Sequence, residues 1–407
     1  MAPPPADPQP TYFRKGFGLK ADVQDELTSD YNGHIVDVLR EQDHTLTVED
    51  VTIRLAQEFG FCYGVERAVE YAYQTRKKFP DRRLLLVGEI IHNPHVNAKL
   101  RGMGIEILER TEAGEFDFSG IRAEDVVILP AFGVTIAAFE ALRDIGCVLV
   151  DTTCGSVLNV WKRVEAYGRD GFTALIHGKY HHEETRATAS QMLRFPGGHY
   201  IVVRHMDEAR MVCEYIEGRG SRDEFLAHFA NAVSPGFDPD VHLQRVGVAN
   251  QTTMLARESL AIAEAVGASI ERARGVAARA DFRTFDTICS ATQERQDAVL
   301  ALLEEPLDAM VVIGGFNSSN TISLAALCAE RVPTYHIEDA SGIDPEARTV
   351  HFRVAGVQHV EETKADWLPA EGPVRIGLTA GASTPNNKIG EAVARILATR
   401  GLALQPA

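Results

Sequence analysis

The chain has 407 residues, 45% hydrophobic and 24% charged, with a formal net charge of −16. That length exceeds one ordinary core, so two or three domains of a globular protein are expected. The negative balance excludes nucleic acid and anionic membrane surfaces as main partners, because both attract basic proteins.

Residues 1–10 are rich in proline and expected to be disordered. Residues 11–50 read as a polar extension with one helix near 34–42. The start lacks a basic region followed by an apolar core and carries too many acids for a transit peptide, which points to the cytoplasm. From residue 51 onward, short apolar runs alternate with helical periodicity: 51–55, 84–87, 126–129, 147–150, 174–176, 200–203, 245–249, 309–313 and 374–378. Short, continuously apolar runs suit parallel strands covered on both faces, so the fold class is α/β with right-handed crossovers. The longest apolar stretch, 126–142, is broken by Pro130 and Gly133 and does not read as a membrane span. Ligands in such sheets sit beyond the carboxyl ends of strands.

Cys62 follows the run 51–55 and precedes a helix over 65–78. Cys154 follows 147–150 and precedes a helix over 157–167; Cys289 follows a strand over 283–288 and precedes a helix over 291–303, with Ser290 as its expected cap. One unit, strand then cysteine then helix, thus occurs three times. Three such units can converge on a pseudo-threefold centre, each thiolate favoured by a helix N-terminus. Cys147, Cys213 and Cys328 sit inside apolar strand or helix patterns and read as core. With no CxxC a zinc ribbon is disfavoured, and three scattered thiolates suit an iron–sulfur cluster with one iron free of protein ligands. Spacing alone leaves buried core cysteines as the alternative.

The segments GFCYGVERAV (60–69), EIIHNPHVN (89–97), DTTCGSV (151–157), HGKYHHEET (177–185), ANQTTM (249–254), TICSATQERQDA (287–298), GGFNSSNT (314–321) and TAGASTP (379–385) occur in this order. They resemble the 4-hydroxy-3-methylbut-2-enyl diphosphate reductases of the non-mevalonate isoprenoid pathway, and the long plant and cyanobacterial branch most of all. The resemblance implies three α/β domains in a trefoil around a 4Fe–4S cluster. Here they are drawn as an extension over 1–50, a first domain over 51–153 joined by 386–407, a second over 154–284 and a third over 285–385. It also implies reductive loss of an allylic hydroxyl, giving isopentenyl and dimethylallyl diphosphates, with Cys62, Cys154 and Cys289 as cluster ligands. A ferredoxin or flavodoxin is the implied one-electron donor. Such acidic donors need a local basic patch, for which Arg76, Lys77, Lys78, Arg82 and Arg83 are the densest run.

Carried over by motif, Ser318, Ser319, Asn320 and Ser383 hold the diphosphate, and each follows an expected strand where free backbone N–H groups favour anions. Read without the family, they are ordinary helix caps. His92 and His182 match diphosphate-binding histidines, as imidazolium donors. Glu184 matches the family's proton donor, with Glu183 as competitor; a carboxyl in a partly desolvated pocket can stay protonated near neutrality. Thr252 and Thr253 are expected to relay that proton or bind substrate, or else simply end a strand. Two departures stand out: Phe132 occupies a position where many relatives have a histidine, and Gly155 follows the second cysteine where proline is usual. A cluster-dependent hydro-lyase is the rival reading, although it needs neither an electron donor nor diphosphate anchors. A redox sensor is disfavoured, since no basic helix or helix-turn-helix is evident.

Overall fold

The computed structural model describes residues 11–404 apart from 113, 286 and 358, so the expectation for 1–10 lies outside the described residues. Its strands form three sheets. The first runs Tyr12–Phe13 (β1), Val148–Asp151 (β7), Val126–Leu129 (β6), Leu84–Val87 (β4) and Ile105–Leu108 (β5), parallel throughout. The second runs Phe282–Thr284 (β11), Val246–Asn250 (β10), Thr173–His177 (β8) and Tyr200–Val203 (β9), again parallel. The third has a parallel centre of Thr334–Ile337 (β13), Ala309–Ile313 (β12), Val374–Ala380 (β17) and Val51–Leu55 (β3). Antiparallel strands close it: Thr45–Val48 (β2) beside β3, and Ile343–Asp344 (β14), Thr349–Arg353 (β15) and Glu361–Ala365 (β16) at the far edge.

Sequence explains the positions. β4, β6 and β12 are apolar runs buried along their whole length, as strands covered by helices on both faces must be. Each buried Val, Leu or Ile contributes about 1.5–3 kcal/mol over exposure. β16 reads Glu-Glu-Thr-Lys-Ala, wholly exposed, and its charges guard an edge against pairing with other chains.

Two expectations are corrected. The strand 51–55 and the C-terminal helix Asn386–Thr399 do go together, but in the third sheet: Val51 registers with Val374, and Ile389 and Val393 share a core with Ile53. Which sheet a strand joins is a long-range choice that local pattern does not carry. The 11–50 segment is no loose extension. β1 extends the first sheet, and Tyr12 Oη donates to Asp151 at 2.5 Å. Val23 and Tyr31 enter the first sheet's core, while Val36, Leu39 and Leu46 enter the third's. The segment therefore ties two units together. No helix among the described residues is long and apolar enough to cross a membrane.

Candidate active site

Cys62 follows β3, Cys154 follows β7 and Cys289 follows β11, so each sheet delivers one cysteine. Each is the N-cap of the next helix, Tyr63–Lys78, Gly155–Arg169 or Ser290–Leu302, with extended backbone (φ/ψ −93/163, −62/141 and −73/146°). Ser290 is thus the first helical residue rather than the cap; Cys289 Sγ takes that role by accepting from the Thr292 N–H at 3.3 Å. A Cβ built on Gly64 would lie 2.5 Å from Cys154 Sγ and 3.9 Å from Cys62 Sγ, so these two thiols flank one glycine. Burial holds the Cys62 thiol above its ordinary value and pushes Cys289 up to about 11; charge on Cys154 adds to the first shift and charge on Cys62 to the second. Such thiols keep their protons until a metal displaces them.

The donor set favours a cluster over a single ion. The three Sγ atoms do not all lie within 4.8 Å of one another, whereas thiolates on one tetrahedral ion with bonds of about 2.3 Å stand about 3.8 Å apart. Three helix N-termini point positive ends at the thiols. Arg295, 3% exposed, donates to Gly60 O at 2.8 Å and Phe61 O at 3.2 Å, and its charge lowers the Cys62 thiol. Sequence reasoning passed over this arginine, although it lies inside a matched segment. Cys147, Cys213 and Cys328 are buried in three separate apolar cores, as expected. Gly64→Ala is expected to displace Cys154 and to cut iron per chain by more than about half after anaerobic reconstitution, given a contact that close. Full iron content in that variant would show that the cradle has slack.

Backbone bonds fasten each cysteine to another part of the site. The Cys62 N–H donates to Ala382 O at 3.2 Å, beside Ser383; that of Cys154 to Ala131 O at 3.0 Å, beside Phe132; that of Cys289 to Thr252 O at 3.3 Å. Thr252 in turn holds Glu184, which lies in the first turn of the helix Glu183–Ser190. Glu184 is 2% exposed; its Oε1 accepts from the Thr252 N–H at 2.6 Å and its Oε2 lies 3.0 Å from Thr252 Oγ1. Burial pushes its carboxyl up to about 7 against the opposing pull of those two bonds. Because Oε1 faces a fixed N–H, a proton belongs on Oε2, where the Thr252 hydroxyl can pass it on. Glu183 faces the cavity instead, 3.5 Å from Arg110 and 3.6 Å from His92 Nε2.

On the other side lie the predicted anion residues. Ser318 caps the helix Ser319–Ala329, and Asn320 Oδ1 accepts from the Ala382 N–H at 2.9 Å, joining this loop to the turn that carries half-buried Ser383. Asn320 Nδ2 is buried without a partner. Gln251, also missed from sequence, is the hub. Its Oε1 accepts from Lys179 N–H and Thr185 Oγ1, both at 3.1 Å; its Nε2 donates to Thr253 Oγ1 at 3.0 Å and to Ser319 Oγ at 3.1 Å. The threonine pair is therefore divided: Thr252 faces the acid and Thr253 the serine loop.

The two histidines meet, and His182 does so as a neutral ring, not the expected imidazolium. His182 Nδ1 accepts from the Glu184 N–H at 3.1 Å, which places its proton on Nε2; that N–H points at His92 Nε2 at 3.2 Å, and His92 Nδ1 at Glu89 Oε2 at 2.8 Å. Burial, with neighbouring positive charge, holds His182 well below its ordinary value, so it is neutral. Phe132 stacks on His92 at 4.3 Å and meets His182 edge-on at 5.5 Å. A cavity of about 910 Å³ opens beside this pair, lined among others by Lys179, Arg353, Phe316 and Asn317. In the basic run suggested for a donor, Arg83 is paired with the Asp125 carboxylate, while Arg76 binds the carbonyls of Phe79, Pro80 and Arg82, and Arg82 that of Glu124.

Residues 53–397 match the family described as LytB protein. The 4-hydroxy-3-methylbut-2-enyl diphosphate reductase of Gloeobacter violaceus is 49% identical over 396 residues, covering 96% of this chain and 93% of the relative. That of Thermosynechococcus vestitus is 48% identical over 399 residues, 96% of each chain. Among solved structures, (E)-4-hydroxy-3-methyl-but-2-enyl diphosphate reductase, the terminal enzyme of the non-mevalonate pathway, superposes with a TM-score of 0.51 at 27% identity, covering 84% of this chain and 98% of the other. The Plasmodium falciparum E-1-hydroxy-2-methyl-but-2-enyl-4-diphosphate reductase shares the fold, with a TM-score of 0.61 at 20% identity over 85% of this chain and 87% of its own.

Proposed function

The chain belongs to the LytB family, and we infer from this membership and the site that it is a 4-hydroxy-3-methylbut-2-enyl diphosphate reductase. The reaction replaces an allylic hydroxyl by hydrogen, taking up two electrons and two protons and releasing water. The observation that carries this reading is convergence: one cysteine from each sheet, a protonatable carboxyl and an anion loop, joined by the backbone bonds of Cys62, Cys154 and Cys289.

Cys62, Cys154 and Cys289 fit as ligands of a 4Fe–4S cluster. When bound, that cluster supplies electrons one at a time and a Lewis-acidic iron for the substrate hydroxyl. The protein's own part is positional and protonic. Ser318, Ser319, Asn320, Thr253 and Ser383 offer hydroxyl and amide donors to the diphosphate, fixing one end of the substrate. Phe132 packs its ring against both histidines. Glu184 holds a proton on Oε2, and the Thr252 hydroxyl delivers it to the leaving oxygen. The two electrons must come from an external donor, and family membership favours a small one-electron protein of the ferredoxin or flavodoxin class.

Anaerobically reconstituted protein with a chemically reduced one-electron donor is expected to consume the hydroxylated allylic diphosphate and release both five-carbon products. A protein with a full cluster, reduced and still inactive, overturns the assignment.

A further inference from the structure

A dianionic or trianionic group needs more than neutral donors, and His182 supplies no charge. Its Nε2–H points at His92 Nε2, and His92 Nδ1 lies 2.8 Å from Glu89 Oε2. A cation stands beside Ser319 instead. Lys179, half-buried after β8, places Nζ 3.1 Å from Ser319 Oγ, at the first residue of the helix Ser319–Ala329. That is an unfavourable place for a bare ammonium. It faces the positive end of a helix, burial and the charges of Arg353 and Arg204 lower its proton affinity to a pKa of about 8, and no carboxylate pairs with it among the described residues. Repulsion of this kind is relieved by an anion lodged between the cations.

The hydrogen bonding at Ser319 points the same way. Its Oγ accepts from Lys179 Nζ and from Gln251 Nε2, each at 3.1 Å, which fills both lone pairs. Gln251 is fixed in this orientation, because its Oε1 already accepts from a backbone N–H. The Ser319 proton must therefore point outward, as a donor. Beside it, Asn320 Nδ2 is a buried donor without a partner. An ammonium, an outward hydroxyl and a vacant amide N–H meet at one loop.

We propose that Lys179 is a substrate-binding residue whose ammonium contacts the diphosphate directly and brings positive charge to the serine loop. The assignment rests on the reading of this loop as the diphosphate site. Arg353 and Arg204 act at longer range, drawing the anion through the cavity, while Gln251 is a positioning residue that fixes the hydroxyls of Ser319 and Thr253.

The test is calorimetric titration of inorganic pyrophosphate into the cluster-loaded protein, alongside steady-state kinetics. Lys179→Met, which keeps the chain length and removes the charge, is expected to weaken pyrophosphate at least tenfold and to flatten its salt dependence. Its KM should rise by more than its kcat falls, with iron content unchanged. Lys179→Arg should recover part of the affinity, which a purely structural role for the lysine stem would not require. Should Lys179→Met bind pyrophosphate as tightly as the wild type, the proposal is overturned while the diphosphate site stands. Should the wild type itself fail to bind pyrophosphate, the reading of the loop falls, and Lys179 with it. Loss of iron in Lys179→Met with normal iron and normal affinity in Lys179→Gln also counts against a direct contact.

Discussion

Glu184→Gln is expected to turn over about 10²–10⁴-fold more slowly than the wild type while binding substrate with near-normal affinity, the usual scale for a positioned general acid. The amide keeps the shape and can still accept from the Thr252 N–H, but it has no acidic proton to give. The pH profile gives a sharper readout. Burial raises the Glu184 carboxyl to about 7, and the protonated form is the competent one. The rate should therefore fall as pH rises through 7, and a group of that pKa gives a value about tenfold lower at pH 8 than at pH 6. The inflection should vanish in Glu184→Gln. If Glu183→Gln removes it and Glu184→Gln does not, the roles of the two glutamates are exchanged. Their surroundings argue otherwise: one is 2% exposed against Thr252, while the other lines the cavity and faces Arg110.

The second large effect concerns iron. Serine at Cys62, Cys154 or Cys289 should strip most of the iron and lower turnover by at least about 10³-fold, because two thiolates cannot replace three at a cluster that already lacks a fourth. Serine at Cys147, Cys213 or Cys328 should keep full iron. Those variants should still lose about 1–3 kcal/mol of stability, the cost of burying a hydroxyl in an apolar core, seen as a lower midpoint in denaturant. The two sets thus separate by readout: one loses iron and activity, the other only stability. Iron loss in Cys328→Ser with unchanged circular dichroism would contradict the choice of ligands.

The strands whose whole length is apolar were legible from sequence, because burial on both faces leaves a continuous run, as in 84–87 and 309–313. The cysteines were legible because each ends a strand and opens a helix, and the flanking motifs named the chemistry. What local pattern did not carry was partnership. Nothing in the run 51–55 shows that it pairs with 374–378 rather than with 84–87, and nothing polar in 11–50 betrays the few apolar residues that anchor it. Gln251, Arg295 and Lys179 sit inside the matched segments, yet their roles come from contacts across sheets. The neutral state of His182 was hidden for the same reason, since it follows from burial and from the charges around it.

The place of β17 in the third sheet has a consequence in time. It lies between β12 and β3, so the strand that precedes Cys62 lacks its parallel neighbour until residues near 380 have been made. Domains that close early can fold as the chain emerges, but this one closes last. The first and second sheets can form during synthesis, with Cys154 and Cys289 waiting beyond the ends of β7 and β11. Cys62 reaches its final place only when the last strand enters. Iron delivered before then meets an incomplete set of thiols, so loading of this protein should follow translation, not accompany it.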